Sequence, residues 1–189
     1  DEAVWKQPGG GRSGRFVNAV NGQNVSTTAE AFGAYTDEAV YFAFDVKDSD
    51  LRATFTQRDD HLWEQDCIEI YLNPEGDDAT YWELQFSPGE GSGEGLNTKT
   101  PIFDAFFEKH RTPHWERGKL ATLEGLEAVV SRKGSLNTAD STRDTGYTLE
   151  VKIPFANLGK VSGALDVIRL PNIPPKQGEV WRVNFFHVD

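Results

Sequence analysis

The sequence predicts an all-β fold, an antiparallel β-sandwich or jelly roll, from three observations. Short segments alternate apolar and polar residues with a period of two. The connections between these segments are rich in Gly, Pro and Asp. No segment has the spacing of a long amphipathic helix. Short alternating strands with such turns are typical of two antiparallel sheets packed face to face.

Two segments show the alternation most clearly. Residues 40–46 place two valines and two phenylalanines on one face. Residues 67–72 place Ile68, Ile70 and Leu72 on one face in the same way. Both segments are therefore predicted to be strands with one side in the core.

A dense turn signal at residues 73–78 joins the second of these strands to a third. Residues 80–86 follow this turn, so the two strands are predicted to form an antiparallel hairpin. The inward positions of the third strand are large and apolar: Trp82, Leu84 and Phe86. Its outward positions are polar or amphipathic: Tyr81, Glu83 and Gln85.

The remainder of the chain continues this pattern. Residues 87–97 contain four glycines and a proline, which predicts an exposed loop. Further strands are predicted at residues 126–131, 147–153 and 180–188, and a short turn of helix at residues 155–159.

The composition is that of a single acidic globular domain spanning residues 1–189. The chain is 38% hydrophobic and has 12 Phe, 5 Trp and 5 Tyr, which is enough to build a core and excludes a disordered chain. Its formal net charge of −11 repels phosphate backbones and anionic lipid headgroups. We therefore expect no nucleic-acid partner.

Cysteine content and apolar run length limit the class of protein further. A single cysteine, Cys67, excludes an intramolecular disulfide and a zinc cluster built mainly of cysteine. No run approaches the roughly 20 apolar residues of a transmembrane helix, so we expect no membrane insertion. With no Met and one Cys, we expect a mature or excised part of a larger multidomain exported protein, secreted, periplasmic or on the cell surface.

One sheet face combines polar and aromatic side chains. If Ile68 and Ile70 point inward, Glu69 points outward beside Gln85 and Glu83 of the hairpin partner. Sugars need this mixture, because hydroxyls bind planar polar groups while the C–H face of a pyranose packs on an aromatic ring. The alternative is a solvated face with cross-strand ion pairs.

Five segments, taken in order, resemble the bacterial carbohydrate-binding module family 9-like domains. These domains are related to the dopamine-monooxygenase-like (DOMON) sandwiches that bind sugar or haem. The segments are residues 39–48, 58–74, 81–88, 146–155 and 178–186. Together they extend over most of residues 35–189. The resemblance implies a non-catalytic β-sandwich that binds a sugar, often at a glycan chain end, and that holds structural calcium.

The resemblance assigns two binding residues by position. Trp63 matches a loop tryptophan just before a strand, and Glu69 matches the acid six residues later. The argument from the sheet face adds five further candidates for carbohydrate binding: Arg58, Asp60, Gln85, Arg182 and Asn184. The second stacking aromatic is left open between Trp115 and Tyr81.

The calcium implied by the resemblance needs a loop rich in oxygen ligands. The predicted turn offers four such residues: Asn73, Glu75, Asp77 and Asp78. Asp140 and Asp144 are a second possibility, and a purely solubilising turn is a third.

Two other functions stay open at this stage. A haem-binding DOMON-like electron-transfer domain would need axial ligands, but Met is absent and none of the four histidines lies in a Cys-x-x-Cys-His motif. A glycoside hydrolase would need two suitably spaced carboxylates, and the acids between residues 59 and 83 supply candidates. No motif of a nucleophile elbow, phosphate loop or zinc protease is present, so we expect no enzyme.

Overall fold

Two five-stranded antiparallel sheets form the described part of the chain. The computed structural model describes residues 11–14, 16–76, 80–91, 100–108, 119–120, 122–138, 144–159, 172 and 174–189. In chain order the strands are β1 Gly11–Arg12, β2 Thr28–Tyr35, β3 Ala39–Lys47, β4 Cys67–Asn73, β5 Thr80–Phe86, β6 Ile102–Glu108, β7 Lys119–Leu120, β8 Glu127–Lys133, β9 Gly146–Pro154 and β10 Arg182–Val188. Two short helical segments accompany them, a 3-10 helix at Leu62–Glu64 and α1 at Phe155–Leu158.

Hydrogen bonding between neighbouring strands divides them into two sheets. The first sheet runs β1-β2-β3-β9-β8 and the second runs β10-β4-β5-β6-β7. The predicted all-β sandwich is therefore confirmed. No helix of the described residues has the length and apolar character needed to cross a membrane.

The core lies between the two sheets and is built by the predicted alternation. Phe42, Phe44 and Val46 of β3 are buried, as are the inward residues of β4 and β5. Trp82 is fully buried, and its Nε1 donates to the carbonyl oxygen of Leu158 at 3.0 Å, which fastens α1 to the second sheet. Removal of these apolar side chains from water is the main contribution to the stability of the fold.

The sequence analysis missed β1, β2, β6 and β7, and β2 shows why. Its inward positions include Ala29 and Ala31, which carry little hydrophobic signal although both are buried. Gly33 lies in register with Phe42, and a Cβ there would be 3.5 Å from the Phe42 ring. Small residues on β2 therefore make room for the large rings of β3.

The loop predicted at residues 87–97 is only partly exposed. Ser87, Pro88 and Gly89 are buried, and the Ser87 hydroxyl accepts the Gly89 N–H at 2.9 Å. A Cβ on Gly89 would be 3.3 Å from Ala53. The prediction is wrong for these three residues because the chain packs closely as it leaves β5, and residues 92–97 lie outside the described part.

Gly146 is required at the start of β9. Its φ is +121°, and a Cβ there would be 1.8 Å from the carbonyl oxygen of Val46. Only glycine permits β9 to pair this closely with the end of β3.

Candidate functional site

The side of the second sheet that points away from the core, here called the outer face, brings together the predicted polar and aromatic residues. It carries Glu69, Tyr71, Tyr81, Glu83, Gln85, Phe103, Asn184 and Phe186. The register aligns Glu69 with Gln85 of β5 on one side and with Phe186 of β10 on the other. Gln85 is in turn aligned with Phe103 of β6. One row across four strands therefore has an aromatic ring at each end and two hydrogen-bonding side chains in the middle.

The centre of this row is shielded from water. Glu69 is 7% exposed and Gln85 is 1% exposed. A solvated sheet face would leave both groups open to bulk water. The alternative of a solvated face is therefore wrong for these two residues.

Hydrogen bonds tie the polar groups to one another. The Tyr71 hydroxyl donates to Glu69 Oε2 at 3.2 Å, and Gln85 Nε2 donates to Glu83 Oε1 at 2.8 Å. Gln85 Oε1 is buried and accepts no hydrogen bond within the described residues. A buried amide oxygen without a donor is unfavourable, so the outer face has an unused acceptor.

The carboxyl groups of this face have raised pKa values. Burial, followed by the charge of Glu83, raises the pKa of Glu69 to about 7. Burial also raises the pKa of Glu83, against the opposing effect of hydrogen bonds from Gln85 and Tyr71. The outer face is thus rich in acceptors whose negative charge is poorly solvated.

Trp63 lies at the end of this row. It sits in the 3-10 helix and is 39% exposed. The His61 ring stacks on it with centroids 4.5 Å apart, and the Phe103 ring meets it nearly at right angles with centroids 5.3 Å apart. Leu62, which lies between His61 and Trp63 in the sequence, is buried in a small cluster with Cys67 and Phe103. These contacts hold an exposed indole in a defined orientation.

Three more aromatic rings lie on the opposite side of the carboxylates. Tyr71 contacts Tyr81 with centroids 5.8 Å apart, and it contacts Phe186 with centroids 5.4 Å apart. Tyr81, one candidate for the second stacking aromatic, is therefore part of the outer face. The other candidate, Trp115, lies outside the described residues.

Two predicted residues have structural partners elsewhere. Arg58 forms an ion pair with the carboxylate of Asp104, which is fully buried and points to the opposite side of β6 from Phe103. Asp60 Oδ2 accepts the backbone N–H groups of Thr56 and Gln57 at 3.2 and 2.9 Å and so stabilises a turn. Their predicted binding role stays a prediction.

The two predicted residues of β10 lie where the face argument put them. Asn184 is in register with Tyr71, and Arg182 is in register with Asn73. Both are exposed. On the outer face, Asn184 therefore lies two residues along β10 from Phe186 of the row, and Arg182 lies two residues further.

Phe103 is the residue of this face that the sequence analysis missed, because β6 was not predicted. A signal was present: residues 101–103 read Pro-Ile-Phe, a breaker followed by two strand-forming residues.

The turn predicted to bind calcium uses its described oxygens internally. Asn73 Oδ1 accepts the Gly76 N–H at 2.7 Å, and Glu75 Oε2 accepts the Thr80 hydroxyl at 3.0 Å. Asp77 and Asp78 lie outside the described residues. These bonds explain Asn73 and Glu75 as turn-forming residues, so calcium at this turn stays a prediction.

The second acidic stretch also has partners. Asp144 accepts the Ser135 N–H at 2.8 Å and the Leu51 N–H at 3.4 Å. Asp140 lies outside the described residues.

Comparison with known proteins finds a family model that matches less than half of the chain. Residues 16–89 match the family model described as Carbohydrate-binding family 9. The predicted resemblance to family 9 domains is confirmed over these residues. This match includes Trp63, Glu69 and Gln85. Among curated proteins, none matches the chain.

Two solved structures are similar to this chain. A candidate carbohydrate-binding protein from Bacteroides uniformis ATCC 8492 has 15% identity and a TM-score of 0.55, over 85% of this chain and 63% of that one. A family 9 module from Caldicellulosiruptor kristjanssonii in complex with cellotriose has 16% identity and a TM-score of 0.49, over 86% and 58%. The chain spans less than two thirds of either structure. The first similarity shows the fold alone.

Proposed function

We propose that this chain is a non-catalytic carbohydrate-binding module that binds a sugar on the outer face of the second sheet. The observation that carries the proposal is the shielded row of Glu69 and Gln85 between aromatic rings, with one acceptor oxygen unused. The match of residues 16–89 to carbohydrate-binding family 9 supports it.

Trp63 is proposed to pack against the sugar ring. Its indole is the large exposed aromatic group beside the row, and His61 and Phe103 already fix its orientation. A preoriented ring loses little conformational entropy when a ligand binds. The C–H face of a pyranose would cover the exposed part of the indole.

The polar groups are proposed to bind hydroxyl groups. Glu69, Glu83 and the Gln85 oxygen are acceptors, so they need a ligand that donates hydrogen bonds. A sugar hydroxyl meeting Gln85 Oε1 would satisfy an oxygen that has no partner within the described residues. Such a bond contributes on the order of 1 kcal/mol, and a missing one costs about 1–3 kcal/mol.

The wider context is part of the same proposal. We infer an exported location and a place within a larger protein, since modules of this kind bring other domains to a glycan. The formal net charge of −11 disfavours nucleic acid and anionic lipid as partners.

The binding proposal is tested by isothermal titration calorimetry against a panel of neutral mono- and oligosaccharides. We expect saturable heat from at least one sugar, lost in Trp63→Ala and kept in Tyr35→Ala. Tyr35 is a matched control because it is an aromatic residue of the first sheet that is 72% exposed. The melting temperature of Trp63→Ala should stay close to that of the unmodified chain.

Three outcomes would overturn the proposal. No binding heat from any sugar of the panel would contradict a sugar site. Equal affinity of Trp63→Ala and the unmodified chain would show that the sugar binds away from Trp63. New reducing ends after incubation with the bound glycan would show catalysis instead of binding alone.

A further inference from the structure

A cleft opens at the edge of the sandwich, between β10 and the segment that joins β1 to β2. This cleft, here called the side cleft, has a volume of about 700 Å³. One of its walls consists of residues 183–187, five consecutive residues of the outermost strand of the second sheet. Pockets of roughly 300–1,000 Å³ bind small molecules and cofactors. The side cleft is therefore large enough to hold a ligand.

Both walls of the side cleft present apolar side chains. Phe16 lines it from the segment before β2, and Phe185 lines it from β10. The Phe185 ring is held in place by edge contacts with two core rings, each with centroids 5.2 Å apart. Val17 and Val183 also line the two walls, and they are 49% and 43% exposed. Exposed apolar groups on both walls of one cleft are typical of a binding groove.

Two amide side chains of the side cleft have their donor groups available. Asn18 Oδ1 accepts the N–H groups of Val20 and Asn21 at 3.0 and 3.2 Å. Asn184 Oδ1 accepts the N–H of the next residue at 3.0 Å. Because the oxygen of each amide is used by the backbone, the N–H groups of each Nδ2 are left for a ligand that accepts hydrogen bonds.

The charge of the side cleft limits the class of ligand. His187 Nε2 is buried and has no hydrogen-bond partner within the described residues. Burial lowers the pKa of His187 to about 4, so this ring is uncharged at neutral pH. Asp189 is then the one charged group among the described residues of the lining, and the chain carries a net charge of −11. Nucleotides, anionic lipids and acidic sugars would be repelled, whereas an uncharged ligand would not.

The side cleft begins where the row of the outer face ends. Asn184 and Phe186 belong to the outer face and also line the side cleft. From Phe103, which contacts Trp63, to Phe186 the row crosses three strand spacings, or roughly 14 Å. This distance exceeds the length of a single pyranose ring. A glycan that packs one unit on Trp63 and follows the row therefore leaves the sheet over β10, at the side cleft.

The two surfaces also suit the same functional group. The outer face offers hydrogen-bond acceptors, whereas Asn18 and Asn184 offer donors, and a hydroxyl can both donate and accept. We propose that the side cleft binds the continuation of the glycan held on the outer face, so that this module takes an uncharged oligosaccharide and not a single sugar. This inference rests on the proposed function.

The experiment measures affinity against glycan length by isothermal titration calorimetry on the full chain. The probes are cello-, xylo- and manno-oligosaccharides, each from the monosaccharide to the hexasaccharide. In the series that binds, we expect the Kd to fall about tenfold or more from the disaccharide to the hexasaccharide, the effect of one or two added hydrogen bonds.

Asn18→Asp tests the side cleft itself. It removes the Nδ2 donor and keeps an oxygen for the N–H groups of Val20 and Asn21, so the loop is preserved. Most of the gain with length should be lost. Asn21→Asp is the matched control, because it makes the same change of charge at a residue of the same loop that does not line the side cleft. This control should keep the gain.

The possible failures are distinguishable. A disaccharide that binds with no gain from longer glycans would overturn the side cleft as a sugar site and leave the proposed function standing. The free edge of β10 would then suit an extended peptide instead. A full gain in Asn18→Asp, or an equal loss in Asn21→Asp, would place the additional sugar units elsewhere. No binding by any member of the three series would contradict the proposed function, and this inference with it.

Discussion

The outward-facing sides of the two sheets follow the same alternation but are built differently. On the first sheet, exposed charged side chains pair across strands: Arg12 with Glu30 at 2.6 Å, Lys133 with Asp45 at 3.3 Å and Lys152 with Glu127 at 2.8 Å. Val129 between them is 68% exposed. On the second sheet, Glu69 and Gln85 are buried among aromatic rings. An outward position in a strand therefore does not by itself indicate a solvated one.

The difference also separates stability from function. Exposed ion pairs contribute little to stability and keep a surface soluble. Buried carboxylates and an amide oxygen without a donor are unfavourable in the absence of a ligand. The outer face of the second sheet thus presents acceptors to a ligand that donates hydrogen bonds. On the first sheet, the exposed acids named above are already paired with lysine or arginine.

Among changes that test the difference between the two sheets, Gln85→Leu is expected to have the largest effect, on sugar affinity. This change removes the unused acceptor while keeping a side chain of similar size, so sugar affinity should fall about tenfold or more. Calorimetry with a sugar that binds the unmodified chain measures the loss. Thr148→Val, at an outward position of the first sheet, is the control and should bind normally. Unchanged affinity in Gln85→Leu would remove the amide from the site.

A smaller effect is expected from Glu69→Gln on the pH dependence of stability. Burial raises the folded pKa of Glu69 from 4.5 to about 7, so the unfolded chain releases this proton first as pH rises. The free energy of unfolding therefore falls between about pH 4.5 and 7, by at most about 1.4 kcal/mol per pH unit. Glu69→Gln should flatten this slope in urea denaturation across that range.

The control for this effect is Glu127→Gln, which alters an exposed acid of the first sheet. Its pH profile should run parallel to that of the unmodified chain. Parallel profiles for Glu69→Gln as well would show that Glu69 titrates normally and is open to water.

The smallest effect is expected from Lys133→Ala on the first sheet. Its ion pair with Asp45 is exposed at both ends, so the free energy of unfolding should change by less than about 1 kcal/mol. Sugar binding should be unaltered. A clear loss of affinity would place a ligand on the first sheet and abolish the distinction between the two sides.

Most of the sandwich could be predicted because large apolar residues alternate with polar ones along most of its strands. Strands β3, β4, β5, β8, β9 and β10 lie where the alternation placed them, within a few residues at each end. Helix α1 lies within the turn of helix predicted at residues 155–159. Strand β2 escaped because Ala29 and Ala31 bury small side chains. The brief pairings of β1 and β7 span two residues each, too few to show a period.

The candidate site was predictable in its residue types and only partly in its membership. Alternation placed Glu69 and Gln85 on one side of a hairpin, and their register in the structure agrees. Burial of that side could not be foreseen, because it depends on packing beyond the hairpin. Arg58 looked like a ligand in the sequence, but its partner Asp104 lies 46 positions away and is visible only in the fold.

The central claim, that the outer face of the second sheet binds sugar through Trp63, is tested most directly by fluorine NMR. Incorporation of 5-fluorotryptophan labels all five tryptophans, and Trp63→Phe identifies the Trp63 resonance by its absence. During titration with a sugar from the panel, the Trp63 resonance should shift saturably, while that of buried Trp82 stays in place. A Trp63 resonance that does not move while calorimetry records binding would contradict the account.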